Sequence, residues 1–145
     1  DIESITELSN RLDTPLNMSD TTGFLFHEAA SFLQNSTTRL IRGTVRKIGI
    51  TGLKKQMSMV EGFHKICEVG LAGNSALNAA NLHVIMSSIN CTYFEYWLPK
   101  EVHQWGVKEQ LKINKNGNLD APTGPGLGIE LDEEWITAHK VATLS

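Results

Sequence analysis

Glu95 stands in an aromatic run, Tyr93-Phe-Glu-Tyr-Trp97. A carboxylate is costly to bury without a partner, so this position reads as paired or functional, against the plainer reading of a strand-end glutamate facing water. Arg42, Thr44 and Arg46 alternate along Arg39–Ile48 and fall on one side of a strand. Two arginines on one face need acceptors, and Glu68, on the face of Gly70 in the next strand, is the expected partner of Arg42. Asp20 precedes a helical pattern and on its own reads as a helix cap. His64 ends a helix and His83 lies inside one, so both read as structural. The loop Gly124–Gly128 lacks the Gly-Lys-Ser/Thr ending of a phosphate cradle and reads as a turn.

The elements that would carry these residues alternate. Ile2, Ile5, Leu8 and Leu12 have helical spacing over 2–13, and Thr14-Pro15 stops that helix. An extended stretch, 14–20, leads to a second helix over Thr21–Gln34 with Thr21 or Thr22 as N-cap. Strand Arg39–Ile48 is followed, after a turn at Gly49 and Gly52, by a helix to about His64. Strand Ile66–Leu71 precedes an Ala-rich helix over Ala76–Ser88, with Asn74 or Ser75 as cap, and Cys91–Leu98 is a last, aromatic strand. Strands alternating with helices of this length predict right-handed βαβ units and a parallel sheet, an α/β fold. Beyond Pro99 the pattern changes to a hairpin, Lys112–Asp120, with Asn116-Gly117 suited to a type I′ turn. A short helix, Glu133–Ala142, is capped by Asp132.

The bulk properties narrow the partners. With 145 residues, 41% of them hydrophobic, the chain is long enough for one domain with a real core. A net charge of −3 with both signs scattered argues against nucleic acid as a partner. No apolar run approaches the roughly 20 residues that span a bilayer, so no membrane role is expected. Cys67 and Cys91 both lie in apolar segments and read as small buried hydrophobes in a reducing compartment, with the cytoplasm as the expected location. The opening Asp1-Ile-Glu starts in mid-pattern, as a piece of a larger protein would.

Taken in order, Leu12–Asp20, Arg39–Gly52, Ala79–His83, Glu95 and Gly117–Glu130, the last containing Pro125-Gly-Leu-Gly-Ile-Glu130, resemble the enolase superfamily in its mandelate racemase and muconate-lactonising branch. The resemblance implies the C-terminal half of a modified TIM barrel of (β/α)7β type. Residues 1–98 would supply its fifth to eighth strands, and 99–145 a hairpin and helix that return to a capping domain. It also implies Mg²⁺, with Asp20 as one metal ligand, and chemistry at the C-terminal strand ends. Glu95 matches a glutamate that hydrogen-bonds substrate. Thr44 stands at the catalytic position of the sixth strand, where the family has Asp or Lys. The seventh-strand end, Val69–Asn74, lacks the family's histidine, so the general base would come from an earlier strand. With the barrel interior so placed, Arg46 lies nearest the mouth and is expected to meet a substrate carboxylate.

Of the reactions implied, dehydration of a sugar acid, a lyase reaction, ranks first. A racemase, epimerase or cycloisomerase would be an isomerase of the same superfamily. Racemisation needs bases on both faces of the substrate, which the sixth and seventh strands do not offer. The alternative from another class is a barrel that has lost its acid/base groups. The implied partners are a carboxylate small molecule, the remaining half of the barrel, the capping domain and further copies of the same protein. The isolated chain is expected to be inactive.

Overall fold

The computed structural model describes residues 1–18, 26–35 and 37–143. Helix α1 (Ile2–Arg11) is capped by Asp1, whose carboxylate accepts from Glu3 N at 3.1 Å. It leads into β1 (Asn17–Met18) and then α2 (Phe26–Asn35). Asp20 and the expected caps Thr21 and Thr22 lie outside the described residues. The pairs β2 (Leu40–Gly43) with α3 (Val45–Gly62), and β3 (Ile66–Val69) with α4 (Ser75–Met86), follow.

The three strands form one parallel sheet in the order β1-β2-β3. Met18 pairs with Ile41, and Ile41 with Cys67, so the three sit side by side on the face that the helices cover. Against this row pack Leu53, Met57 and Val60 of α3 and Ala80 and Val84 of α4. Burying side chains of that size stabilises by about 1.5–3 kcal/mol each, enough to fix which face of a four-residue strand turns inward. Leu40 and Arg42, alternating with the buried Ile41 and Gly43, are left on the opposite, half-open face.

The structure corrects the expected strand 39–48. The strand ends at Gly43, and Val45 already lies in α3, because Thr44 caps the helix through its hydroxyl, which accepts from Arg46 N at 3.4 Å. Gly49 does break the run, but inside the helix: its φ of 69° and ψ of 174° separate a first turn that carries Arg46 from the body of α3. The expected last strand touches the sheet through a parallel bridge between Val69 and Phe94 and a bond from Cys67 N to Asn90 O at 2.8 Å.

The hairpin forms, with Ile113 opposite Leu119. Its turn is not type I′, which needs positive φ at both central residues; among the described residues His64 is the non-glycine with positive φ. Gly117 N instead donates to Asn114 O at 3.0 Å, closing a turn centred on Lys115 and Asn116, with Gly117 after it at φ 79°. Asp132 caps α5 (Glu133–Ala138), which stops short of the expected Ala142. No helix among the described residues is long and apolar enough to cross a membrane.

Candidate active site

The C-terminal ends of β2 and β3 and the segment after Phe94 meet around one carboxylate. Glu95 Oε2 accepts from Arg42 Nη2 and from Leu71 N, the latter at 2.8 Å, and Oε1 accepts from Trp97 Nε1 at 3.1 Å. Arg42 and Glu95 form an ion pair with side chains 26% and 33% exposed. A carboxylate offers about four lone-pair positions, so three donors leave room for one more, on Oε1.

Arg42 was expected to pair with Glu68, its register partner on β3. It reaches past β3 to Glu95 instead, and the residue that allows this is Gly70. A Cβ at position 70 would lie 2.6 Å from Arg42 Nε, so the guanidinium lies in the space a side chain would fill. Glu68 serves the start of the last segment, accepting from Thr92 N at 3.4 Å and Tyr93 N at 3.3 Å. The Cys91 thiol, 3.6 Å from Glu68 Oε2, is pushed up to about 11, first by burial and further by the Glu68 charge.

Arg46 sits in the first turn of α3, just beyond the C-terminal end of β2, and its side chain approaches the loop after β3 at Gly73. It is exposed, and among the described residues its guanidinium has no hydrogen-bond or ion-pair partner. Thr44, at the strand end, is fully buried and spends its hydroxyl on the helix cap.

Two asparagines that the sequence reading passed over hold these strand ends in register. Asn81 Oδ1 accepts from Val45 N at 3.0 Å, while its Nδ2 donates to Gly70 O at 2.8 Å. Asn78 Oδ1 accepts from Ala72 N at 3.1 Å. Both are buried in α4, where asparagine is a poor helix former, and that mismatch was the available signal. His83, read as structural, contacts Leu127 O at 3.0 Å and ties α4 to the glycine-rich strap. Asp20 lies outside the described residues. Among those described, no three His, Cys, Asp or Glu residues are grouped so as to hold a metal ion.

No curated protein matches the chain. Among solved structures, a Pseudovibrio sp. protein described as a candidate mandelate racemase/muconate lactonizing enzyme is 28% identical with a TM-score of 0.91, the match covering 98% of this chain and 38% of that one. An isomerase from Streptomyces coelicolor A3(2) is 25% identical, with a TM-score of 0.80 and coverage of 95% and 38%. An enolase from alpha pretobacterium bal199, solved with bound magnesium, is 19% identical, with a TM-score of 0.74 and coverage of 94% and 35%. This chain therefore spans little more than a third of their length. The parallel sheet with its covering helices is the α/β half of a TIM-type barrel. The family model described as enolase C-terminal domain-like matches residues 1–135, and the chain belongs to that family, in the mandelate racemase and muconate-lactonizing branch of the enolase superfamily.

Proposed function

We propose that this chain is the C-terminal part of a larger enzyme that abstracts a proton alpha to the carboxylate of a sugar acid and eliminates water. The observation that carries this reading is Glu95, held at the C-terminal strand ends by Arg42, Leu71 and Trp97 with one acceptor position left open. That position suits a substrate hydroxyl. Arg46, a cation with its guanidinium unengaged among the described residues, takes the substrate carboxylate. Thr44 fixes the turn that aims Arg46, so its contribution at the sixth-strand position is to hold geometry. Neither strand end supplies a base: the residues after β2 and β3 are Thr44 and Gly70-Leu-Ala-Gly73. The proton is then removed by a residue outside this chain.

Magnesium belongs to the reading, with Asp20 as a ligand, but the described residues do not form a site for it. One carboxylate holds that ion poorly, so the remaining ligands come from outside the chain. Residues 99–145 pack in this reading toward a capping domain, and the assembled protein is a cytoplasmic homo-oligomer.

The second reading is a barrel without catalysis, favoured by the fully buried Thr44 after β2 and by Gly70-Leu-Ala-Gly73 after β3, none of which can act as a base. The test is an assay of the full-length protein with Mg²⁺ against a panel of sugar acids, following the keto acid formed. Glu95→Gln is expected to lower kcat/KM by about 100-fold or more. No turnover on any acid would leave the second reading in place, and turnover indifferent to Glu95→Gln and Asp20→Asn would refute the roles given to those two carboxylates.

A further inference from the structure

Trp97 follows Glu95 by two residues, and their side chains meet. Its indole N–H donates to Glu95 Oε1 at 3.1 Å, and the His103 ring meets it at a centroid distance of 4.2 Å and an interplanar angle of 86°. One edge of the indole is thus fixed by a carboxylate and its plane by a second ring, yet the residue is 46% exposed. A scattered surface tryptophan needs no explanation. This one is preorganised on two sides and attached to the atom with a free acceptor position.

We propose that Trp97 is a specificity-determining residue, a platform for the C–H face of a polyhydroxylated chain whose neighbouring hydroxyl donates to Glu95. The ring face carries the negative part of the indole quadrupole, and carbon-bound hydrogens of a polyol are its complement. A hydroxyl that reaches the open position on Oε1 lies beside the indole that occupies the other. The ligand must therefore present a hydroxyl and a C–H surface together. That describes the chain of a sugar acid and excludes a short hydroxy acid with nothing beyond its second carbon except a methyl group. His103 acts through Trp97 as a positioning residue.

This inference rests on the reading of Glu95 given above, so its test must not depend on turnover. In the full-length protein with Mg²⁺, gluconate binding is measured by calorimetry, with lactate as the short comparator. The indole N–H signals of Trp97, Trp105 and Trp135 are followed by NMR. Gluconate is expected to move the Trp97 signal, and Trp97→Leu to weaken gluconate binding about tenfold while changing lactate binding less than about twofold. Trp97→Phe, which keeps a ring against His103, recovers part of the loss; His103→Ala weakens gluconate in the same direction. Unaltered gluconate affinity in Trp97→Leu, an equal loss for both acids, or a wild-type protein that binds gluconate without moving the Trp97 signal, or does not bind it, would each overturn the platform. Gluconate binding that depends on Trp97 in a protein without turnover would support the platform and sink the enzymatic reading.

Discussion

Cys67 shows how much a single buried group can report about this fold. It is fully buried between α3 and the sheet, 3.4 Å from where a Cβ on Gly43 would stand. Burial, with smaller contributions from Cys91 and Glu68, pushes its thiol from 9.0 up to about 12, and Cys91 rises to about 11. A group whose folded-state value lies above its unfolded value contributes fully below the unfolded value and loses that contribution as pH climbs toward the folded one. The unfolding free energy should therefore be unaffected by these thiols up to about pH 8 and should fall between 9.0 and about 12. Urea unfolding from pH 7 to 10.5 checks this. Cys67→Ala should flatten the alkaline fall whatever it does to stability at pH 7, and an unchanged slope would refute the assignment. That Cys67 is buried was legible from the apolar segment around it, whereas Cys91, expected to be buried too, is half-buried and meets the Glu68 carboxylate. Arg42 was harder to read: period-two alternation placed it opposite Glu68, and only the missing side chain at Gly70 lets the guanidinium pass over β3 to Glu95. The reach of a long side chain across a neighbouring strand is set in three dimensions, and alternation along one strand does not encode it.

The division between β2 and α3 is where local sequence and tertiary structure part company. Val45 and Ile48 have strand-forming side chains and continue the alternation of Leu40–Gly43, so the segment reads as one long strand. The chain turns helical because Thr44 caps the new helix and the buried Asn81 satisfies Val45 N from the far side of the interface. Such a long-range acceptor leaves its trace in α4, 36 residues further along the sequence, and not in the strand it terminates. Gly49 completes the arrangement. Its φ of 69° and ψ of 174° lie in a region open essentially to glycine, and nothing stands within 4 Å of where its Cβ would be. Sterics outside the residue are thus irrelevant, and Gly49→Ala should cost about 1–3 kcal/mol through backbone strain alone. The midpoint of urea unfolding measures it. The same strain is relieved by rotating the turn before the kink, so Arg46 should shift with it. A Gly49→Ala protein as stable as wild type would mean that the two parts of α3 are joined differently.

At the scale of the molecule, the half-open face of the sheet is the dominant fact. The βαβ order and the parallel pairing followed from the alternation of apolar segments, and the buried positions of the short strands are Met18, Ile41, Gly43, Cys67 and Val69. The other side carries Arg42, Glu68 and Glu95, and in the segment that follows α4 Tyr93 is 73% and Leu98 77% exposed. Ile89 is exposed as well, at 87%, just before the segment that bridges to β3. In the solved relatives this chain accounts for 35–38% of the length. Charged groups on the half-open face discourage edge-to-edge pairing without removing the drive to cover the exposed Ile89, Tyr93 and Leu98. The 145-residue chain prepared by itself should therefore bind a hydrophobic dye and show a molar mass in light scattering that rises with concentration over the micromolar range. Tyr93→Lys with Leu98→Lys should reduce both effects, while Val141→Lys, which charges a fully exposed side chain in the tail, should not. A strictly monomeric chain that leaves the dye dark would show that this face is already covered, and the barrel half would then have to close on itself in a way the parallel order β1-β2-β3 does not provide.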